Sequence, residues 1–320
     1  MKAFDLPIHP LGSFDRSTPR VSIGMPVFNG ELYLEKALQS LLAQSYSDFE
    51  LTISDNASVD RTGEICLDYA NQDSRIRYYR NEVNVGFCQN QNRVYNLSRG
   101  KYFLLAHHDD VRAREYLQRT VGVMDSDPSV VVCYTQTQDI DAQGKSLPRI
   151  DPVLHFESFQ LRERFRDVIR MDHICEPDFG LTRMDVLRRT KLHGDYADSD
   201  RVLLAELALY GRFVKIPECL FYRRAHPLQS TAIAPDRRSR TVWFNPKKTG
   251  KFLFPHFRQF VEYHRAINRV SVSIQNRIWC RLEMLRWIRV NRSRLFSDIE
   301  LTVRDVARPI KNTLLRNGES

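Results

Sequence analysis

Two adjacent carboxylates, Asp109 and Asp110, directly follow the apolar segment 102–106 and the pair His107 and His108. Like charges about 4 Å apart repel by on the order of 1 kcal/mol even in water, so such a pair is favourable only where solvent or a cation relieves it. Carboxylate oxygens are the ligands that Mg2+ and Mn2+ prefer, and histidine also binds divalent metals. The two aspartates are therefore candidates for a divalent-metal site. The alternative is that one of them caps a helix predicted at 111–117.

Polar residues also follow two other apolar segments of the sequence. Phe28 and Asn29 end the first of these segments, and Asp55 and Asn56 end the second. A short apolar segment that stops at turn-forming residues predicts a buried strand. Asparagine and aspartate also form Asx turns, so a purely structural role is the alternative to a ligand contact at these positions.

Strands and helices are predicted to alternate over residues 20–221. The predicted strands are 21–28, 49–54, 76–79 and 102–106, and the helices between them are 34–45, 62–69 and 89–97. This alternation predicts a mostly parallel sheet with helices on both faces. Ligands of such sheets bind beyond the carboxyl ends of the strands. We therefore expect the polar residues that follow the strands to meet at one edge of the sheet.

The composition excludes several classes of protein. The chain has 320 residues, 42% of them hydrophobic and 27% charged, which is typical of a globular enzyme. No apolar segment approaches the roughly 20 residues of a membrane-spanning helix, and the N-terminus shows no apolar signal segment. No Gly-x-Gly-x-x-Gly follows a predicted strand, which argues against a dinucleotide site. Six scattered cysteines without a Cys-x-x-Cys pair predict buried thiols and a cytoplasmic location.

The positive charge of the chain is confined to its C-terminal part. Residues 236–320 contain 19 Lys and Arg against 7 Asp and Glu, whereas the rest of the chain carries 29 against 32. A near-neutral body with a basic extension argues against a nucleic-acid enzyme, whose groove would itself be positive. The extension is predicted to be helical, with one apolar face formed by Ile267, Val270, Ile274, Ile278, Leu285 and Ile288. One candidate partner of that face is protein, either the catalytic body or a second copy of the chain in a homodimer. The other is an anionic lipid surface, at the inner face of the membrane.

Four blocks in colinear order resemble the family 2 glycosyltransferases. They are VSIGMPVFNG (21–30), ELTISDNASVDRT (50–62), NEVNVGFCQNQN with GKYFLLAHHDD (81–92 and 100–110), and DSDRVLLAELALYGRFVKIPECLFYRRAH (198–226). The resemblance implies an α/β fold of the GT-A type. It also implies metal-dependent, inverting transfer of a sugar from a nucleoside diphosphate sugar, above all a UDP-sugar, with Mn2+ or Mg2+ neutralising the leaving diphosphate. The acceptor would be a hydroxyl of a glycan or a lipid-linked acceptor, as in polysaccharide biosynthesis.

The resemblance assigns roles to individual residues. It implies that Asp110 and Asp109 bind the metal, that Asp109 also contacts the ribose-phosphate, and that Asp55 contacts the nucleobase. The other expected nucleotide-sugar contacts are Pro26, Val27, Phe28, Asn29, Asn84, Arg224 and His226. The family's Asp-x-Asp-Asp motif often begins with an aspartate where this sequence has the His107-His108 pair, which leaves the identity of the metal open.

Asp200 matches the family's general base, an aspartate in front of a helix of the pattern Asp-x-x-Leu-x-x-x-Leu-x-x-x-Gly-x-Phe. Such a carboxylate takes the acceptor proton as the oxygen attacks, which gives inversion without a covalent intermediate. The alternative is a helix N-cap, for which Asp198 and Ser199 compete. The segment 173–194 lies ahead of this base and is the expected acceptor region, with Glu176, Asp178 and Phe179 as its candidates.

The predicted organisation is an N-terminal lead (1–19), a GT-A catalytic domain (20–235) and a basic helical extension (236–320). Two other functions compete with glycosyl transfer. A nucleotidyltransferase would carry Arg or Lys in a glycine-rich loop after the first strand, and residues 25–30 contain neither. A catalytically degenerate sugar-nucleotide-binding or scaffold protein is suggested by the His107-His108 pair and the basic extension.

Overall fold

The computed structural model describes residues 18–149, 156–170, 175–249 and 253–316. Residues 1–17 of the expected N-terminal lead lie outside this range, and so do His173 and Ile174 at the start of the expected acceptor segment. Within the described residues the strands are β1 (Val21–Val27), β2 (Phe49–Asp55), β3 (Ile76–Arg80), β4 (Tyr102–Leu105), β5 (Val111–Arg112), β6 (Val130–Ile140), β7 (Leu181–Arg183) and β8 (Arg212–Arg224).

Helices connect and cover these strands. Their bounds are α1 (Leu34–Leu42), α2 (Thr62–Gln72), α3 (Phe87–Asn96), α4 (Tyr116–Ser126), α5 (Leu161–Val168), α6 (Met184–Leu187), α7 (Ser199–Tyr210), α8 (Ser230–Ile233), α9 (Arg237–Phe244), α10 (Pro255–Arg269) and α11 (Ile274–Arg316). Among the described residues, no helix combines the length and the apolar composition that crossing a membrane requires.

The strands form one sheet in the order β3-β2-β1-β4-β7-β6-β8-β5. β1 lies between β2 and β4 and pairs with both in parallel, and β7 then runs antiparallel to β4 and β6. Every residue of β1 and β2 is buried, as expected of strands that helices cover on both faces. The carboxyl ends of β1, β2 and β4 therefore meet at one edge, and the predicted α/β fold is confirmed.

The structure corrects the prediction for residues 111–117. Val111 and Arg112 form the short strand β5, which pairs antiparallel with Phe221 and Tyr222 of β8, and the next helix begins only at Tyr116. Neither Asp109 nor Asp110 is therefore followed by a helix that it could cap. The prediction was wrong because this strand is formed by pairing with residues more than 100 positions away in sequence, which a local signal does not reveal.

The C-terminal helix predicted over residues 267–288 is two helices. α10 ends at Arg269 and α11 begins at Ile274, so the predicted apolar face is divided between them. Ile267 and Val270 are buried in the same hydrophobic cluster as α7, whereas Ile274 and Ile278 are exposed. The prediction of six buried thiols is also wrong at one position, because Cys219 is exposed while the other five are buried.

Glu50 anchors the amino-terminal edge of the sheet. It is buried in β2, where one carboxylate oxygen accepts a hydrogen bond from Ser22 Oγ (2.7 Å) and the other accepts one from Arg99 Nη2 (2.7 Å) and one from Arg77 Nη1 (3.1 Å). Burial alone would raise the pKa of Glu50. The hydrogen bonds from Arg99 and Ser22 and the charge of Arg77 outweigh burial, and the pKa is lowered.

Glu50→Gln is expected to lower the free energy of unfolding by about 2 to 4 kcal/mol at neutral pH, because Arg77 and the half-exposed Arg99 lose their anionic partner. The lowered pKa means that this stabilisation is present above the ordinary pKa of 4.5 and is lost as the pH falls below it. Urea unfolding at about pH 7 and about pH 4 measures both effects. Glu64→Gln, at the exposed start of α2, is the control, and equal stability of the two variants would contradict the prediction.

Candidate active site

A cavity of about 410 Å3 opens at the carboxyl ends of β1, β2 and β4. Part of its wall is formed by residues 26–30, at the end of β1 and directly after it, and by residues 107–109, which follow β4. The remaining lining residues are Leu32, Tyr33, Asn56, Asn84, Phe87, Asn90, His226, Leu228, Gln229, Ile233, Val242, Trp243 and Pro246. The polar residues predicted to meet at one edge of the sheet do so, at the position where such sheets bind ligands.

The loop after β1 is held by the loop after β2. Asn29 adopts a left-handed conformation with φ 51°, which asparagine tolerates better than most residues. Its N–H donates to Ser58 Oγ (2.9 Å), its Oδ1 accepts from the Val59 N–H (2.9 Å), and the Gly30 N–H donates to Thr62 Oγ1 (2.8 Å). These hydrogen bonds tie the loop after β1 to the loop after β2.

Asp55 lies behind the cavity rather than on its surface. Its side chain is fully buried, Oδ1 accepts from the Ser58 N–H (2.9 Å), and Oδ2 accepts from Tyr78 Oη (3.0 Å) and Arg80 Nη1 (2.8 Å). The next residue, Asn56, does line the cavity. The contacts of Asp55 therefore shape the loop that presents Asn56, and its own contact with a nucleobase stays a prediction.

Asn56 and Asn84 form an amide pair at this end of the cavity. Asn56 Nδ2 donates to Asn84 Oδ1 (2.9 Å), while Asn56 Oδ1 accepts from Asn81 Nδ2 (2.9 Å) and from the Val85 N–H (2.9 Å). Asn84 Oδ1 also accepts from the Gly86 N–H (2.8 Å). Because the oxygen of Asn84 is engaged, its amide nitrogen is the group that it can offer to a ligand.

His107, Asp109 and Asp110 bring three ligand atoms within 4.8 Å of one another. His107 Nε2 is buried and has no hydrogen-bond partner among the described residues. Asp109 and Asp110 hydrogen-bond protein groups through one oxygen each, Oδ2 and Oδ1 respectively. Two carboxylates and an unpartnered imidazole nitrogen are a donor set that suits a divalent cation, so the residues present fit the expected metal.

The pKa values of the two aspartates are shifted in opposite directions. Burial and then the charge of Asp109 raise the pKa of Asp110 to about 8. Burial also acts to raise the pKa of Asp109, but the charge of His108 and the hydrogen bond from His226 outweigh it and hold this pKa well below its ordinary value. The protein alone thus favours one negative charge on the pair, and a bound cation would favour the second.

The two residues expected to contact the diphosphate differ in position. His226 lines the cavity, its Nε2 lies 2.9 Å from Asp109 Oδ2, and its buried Nδ1 has no hydrogen-bond partner among the described residues. Arg224 is not a lining residue. Its Nε donates to the Asp109 carbonyl (2.9 Å) and its Nη1 to the carbonyls of Asp141 (3.0 Å) and Ala142 (3.1 Å), so a role in gripping phosphate stays a prediction.

Asp200 lies in the first turn of α7, half-buried, with Oδ1 accepting a hydrogen bond from the Arg201 N–H (2.9 Å). It does not line the cavity described above. The position before the helix is held by Asp198, which has φ 62°, so the N-cap alternative for Asp200 is excluded. Burial lowers the pKa of His193 to about 4, while Asp200 acts to raise it and His107 to lower it. Asp200 and His107 thus both act electrostatically on this buried imidazole.

The three acceptor candidates have different surroundings. Glu176 forms ion pairs with Arg149 and with Lys215 (3.7 Å). Asp178 Oδ1 lies 3.6 Å from His193 Nε2, and burial followed by the charge of Asp200 raises the pKa of Asp178 well above its ordinary value. The ring of Phe179 packs edge-on against His107, with 5.1 Å between the ring centroids. Phe179 therefore packs against His107 of the candidate metal cluster and does not line the cavity.

Sequence reasoning did not find the aromatic part of the cavity. Phe87 stacks on Trp243 with 4.3 Å between ring centroids and meets His107 edge-on at 6.0 Å. Phe87 begins α3 directly after the Asn84 turn, a signal that could have identified it. Trp243 lies beyond residue 235, where the resemblance fades, so only the tertiary structure shows that this segment reaches the cavity.

Residues 22–190 match the model of a family described as Glycosyl transferase family 2. The chain is 27% identical over 220 residues to the uncharacterized glycosyltransferase EpsJ of Bacillus subtilis, which covers 67% of this chain and 64% of that protein. It is 25% identical over 183 residues to the uncharacterized glycosyltransferase MJ1057 of Methanocaldococcus jannaschii, covering 57% and 61%. A match of 31% identity to the uncharacterized protein y4gI of Sinorhizobium fredii covers 52% of this chain and 18% of that one. The chain therefore spans less than two thirds of each relative.

Two solved structures share the fold. S. aureus TarS 1-349 in complex with UDP-GlcNAc aligns with a TM-score of 0.65 at 15% identity, covering 90% of this chain and 81% of TarS. The mannosyltransferase PcManGT from Pyrobaculum calidifontis in complex with GDP-Man and Mn2+ aligns with a TM-score of 0.53 at 16% identity, covering 95% and 80%. At these identities the likeness concerns the fold, which is the one expected from the sequence.

Asp110→Asn is expected to weaken Mn2+ binding at least about tenfold, because it removes a charged ligand from the cluster. The amide oxygen of Asn can still accept from the Arg224 N–H, so the fold should persist. Titration of free Mn2+ followed by electron paramagnetic resonance measures the affinity, and circular dichroism measures the fold. Asp185→Asn, on the exposed surface of α6, is the matched control. Unchanged Mn2+ affinity in a folded Asp110→Asn variant would rule out the cluster as the metal site.

Proposed function

The chain belongs to glycosyl transferase family 2, and on that premise we propose that it moves a sugar from a nucleoside diphosphate sugar to an acceptor hydroxyl with inversion. One observation carries this proposal: the cluster of His107, Asp109 and Asp110 adjoins a cavity of about 410 Å3 that residues from the family's blocks line. That cavity belongs to the size range of small-molecule sites. The segment 236–246, which contributes Val242 and Trp243, belongs to the same catalytic unit in this proposal.

The proposed donor is a uridine diphosphate sugar, with its base at the end of the cavity formed by Phe28, Asn56 and Asn84. Phe28 is exposed there, and an exposed ring gives a base an apolar face on which to lie. The amide nitrogen of Asn84 can donate to a uracil carbonyl. Asp55 acts as a positioning residue, because the hydrogen bond that its Oδ1 accepts from the Ser58 N–H holds the loop that presents Asn56.

His107, Asp109 and Asp110 are the residues that would hold Mn2+ or Mg2+. When bound, the cation supplies the positive charge that neutralises the diphosphate as it leaves. His226 contacts the diphosphate from the protein side. Its Nε2 lies 2.9 Å from Asp109 Oδ2, and its Nδ1 has no hydrogen-bond partner among the described residues, so Nδ1 is the ring nitrogen that remains for a phosphate oxygen.

Asp200 is the proposed general base. The support is its position in the first turn of α7, where the helix dipole favours the ionised carboxylate. Further support is its electrostatic influence on His193, the imidazole that His107 of the metal cluster also influences. As the acceptor oxygen bonds to the anomeric carbon from the face opposite the diphosphate, its proton passes to the carboxylate and the bond to the diphosphate oxygen breaks. The acceptor class proposed is a glycan or a lipid-linked hydroxyl.

Asp55→Asn is expected to raise the KM for the UDP-sugar much more than it lowers kcat. The change weakens the pairing with Arg80 and loosens the loop that presents Asn56, without touching the reacting carbon. Steady-state kinetics over a range of donor concentrations, with melting temperatures to report folding, measure the effect. Tyr78→Phe is the matched control for the loss of one hydrogen bond to Asp55. A fall in kcat at unchanged KM would contradict the assignment.

Asp200→Asn should preserve donor binding, since amide and carboxylate are nearly isosteric. Turnover should fall by about 100- to 10,000-fold, the range for loss of a general base. In the native enzyme, turnover should fall at low pH as the carboxylate becomes protonated, and the variant should lack this dependence. Donor binding by calorimetry and initial rates across pH measure the two effects.

Asp198→Asn is the internal control, two residues away and matched in chemistry. Asparagine tolerates the left-handed conformation that Asp198 adopts, so the variant should fold. If Asp198→Asn is the inactive variant while Asp200→Asn turns over, the base has been placed two residues too late in the sequence. If both variants remain active, the inverting mechanism proposed here is wrong.

A further inference from the structure

α11 carries two apolar faces, and the described residues cover only one of them. Cys280, Met284 and Trp287 are buried against the core that includes α7. The other apolar face is exposed at Ile274 (79%), Ile278 (52%), Leu282 (42%) and Leu285 (62%). The spacing of four, four and three residues places these side chains in one stripe along the helix. Contiguous exposed apolar surface of this kind marks an interaction site.

The stripe continues onto α10. A groove of about 470 Å3 between the two helices is lined by His264 and Asn268 of α10 and by Ile278, Arg281, Leu282 and Leu285 of α11. Phe257 and Val261, both exposed, extend the α10 side at helical spacing from His264. We call this two-helix surface the basic apolar face, and define it by Phe257, Val261, Ile278, Arg281, Leu282, Leu285 and Arg289.

The exposed charge of this face is positive. Arg281 and Arg289 are exposed beside the apolar stripe. The acidic residues Glu262, Glu283 and Asp298 of the same helices are buried and engage Arg265, Arg286 and His256 respectively. Residues 254–299 contain nine arginines and these three carboxylates. Within residues 254–299 the three carboxylates are therefore buried, whereas seven of the nine arginines are exposed.

We propose that the basic apolar face lies on an anionic lipid surface. A symmetric dimer through this face would bring Arg281 and Arg289 of both copies together, and like charges at an interface oppose association. An anionic bilayer can bind both the apolar side chains and the arginines of this face. Isoleucine and leucine enter the boundary between headgroups and acyl chains, and arginine contacts the lipid phosphate. The inference concerns these helices alone and holds or fails independently of the proposed catalytic residues.

Vesicle sedimentation with the full chain tests the proposal. The probes are vesicles of phosphatidylcholine alone and of phosphatidylcholine with roughly one third phosphatidylglycerol. The chain is expected to bind the anionic vesicles and not the neutral ones, and binding should weaken as salt is raised. Arg281→Gln with Arg289→Gln should weaken binding about fivefold for each arginine. Leu282→Ser with Leu285→Ser should also weaken it, and both pairs change exposed residues only.

Arg114→Gln with Arg189→Gln is the matched control, since it removes the same charge from exposed positions of the catalytic body. If this control weakens binding as much as the Arg281 and Arg289 pair, the attraction belongs to net charge and the proposal fails. Equal binding to neutral vesicles, or no binding at all, also overturns it. Light scattering adds a last test: a dimer that Leu282→Ser with Leu285→Ser converts to a monomer would assign the face to a second copy. Unchanged sugar transfer to a soluble acceptor in these variants would separate this result from the catalytic proposal.

Discussion

The site depends on the hydrogen bonds by which Arg224 holds the acidic turn, which is the turn that carries Asp109 and Asp110. Its backbone N–H donates to Asp110 Oδ1 and its Nε donates to the Asp109 carbonyl, each at 2.9 Å. The pairing of Val111 with Tyr222 continues this contact as two strands. Without these hydrogen bonds the side chains of the partly buried Asp109 and the buried Asp110 would be expected to turn apart, because each disfavours the charge of the other. The same strand end leads to His226, so one long-range pairing sets both the acidic turn and its histidine partner.

The local elements could be predicted from the sequence, and the long-range ones could not. β1 to β4 and the helices between them follow from apolar segments that stop at turn residues, which are local signals. β5, the break between α10 and α11, and the approach of Trp243 to Phe87 are set by partners distant in sequence. Within the site, the residues that end strands were found from the sequence. The orientation of Asp55 and Arg224 away from the cavity needed the hydrogen bonds of the folded chain.

The edge of the sheet holds backbone conformations that an isolated loop would avoid. Ala57 has φ 62°, a left-handed conformation that costs a residue with a side chain roughly 1 to 2 kcal/mol. It persists because the flanking residues are fixed, Asp55 by Arg80 and Tyr78, and Ser58 by its bonds to Asp55 and Asn29. Strain of this kind collects where the surrounding contacts over-determine the backbone, and here it shapes the loops that line the cavity.

The basic extension packs against the helix that carries the proposed base. α10 packs on α7, and Tyr263 and Ile267 share a hydrophobic cluster with Leu203 and Leu207 of that helix. Asp200 lies in the first turn of α7, so the helix that carries the proposed base is also the helix on which α10 of the basic apolar face packs. If that face rests on lipid, packed side chains rather than a flexible linker set the height of Asp200 above the bilayer. A base held at one height favours acceptors whose hydroxyl lies at that height, which is a physical reason for a lipid-linked acceptor over a free glycan in solution.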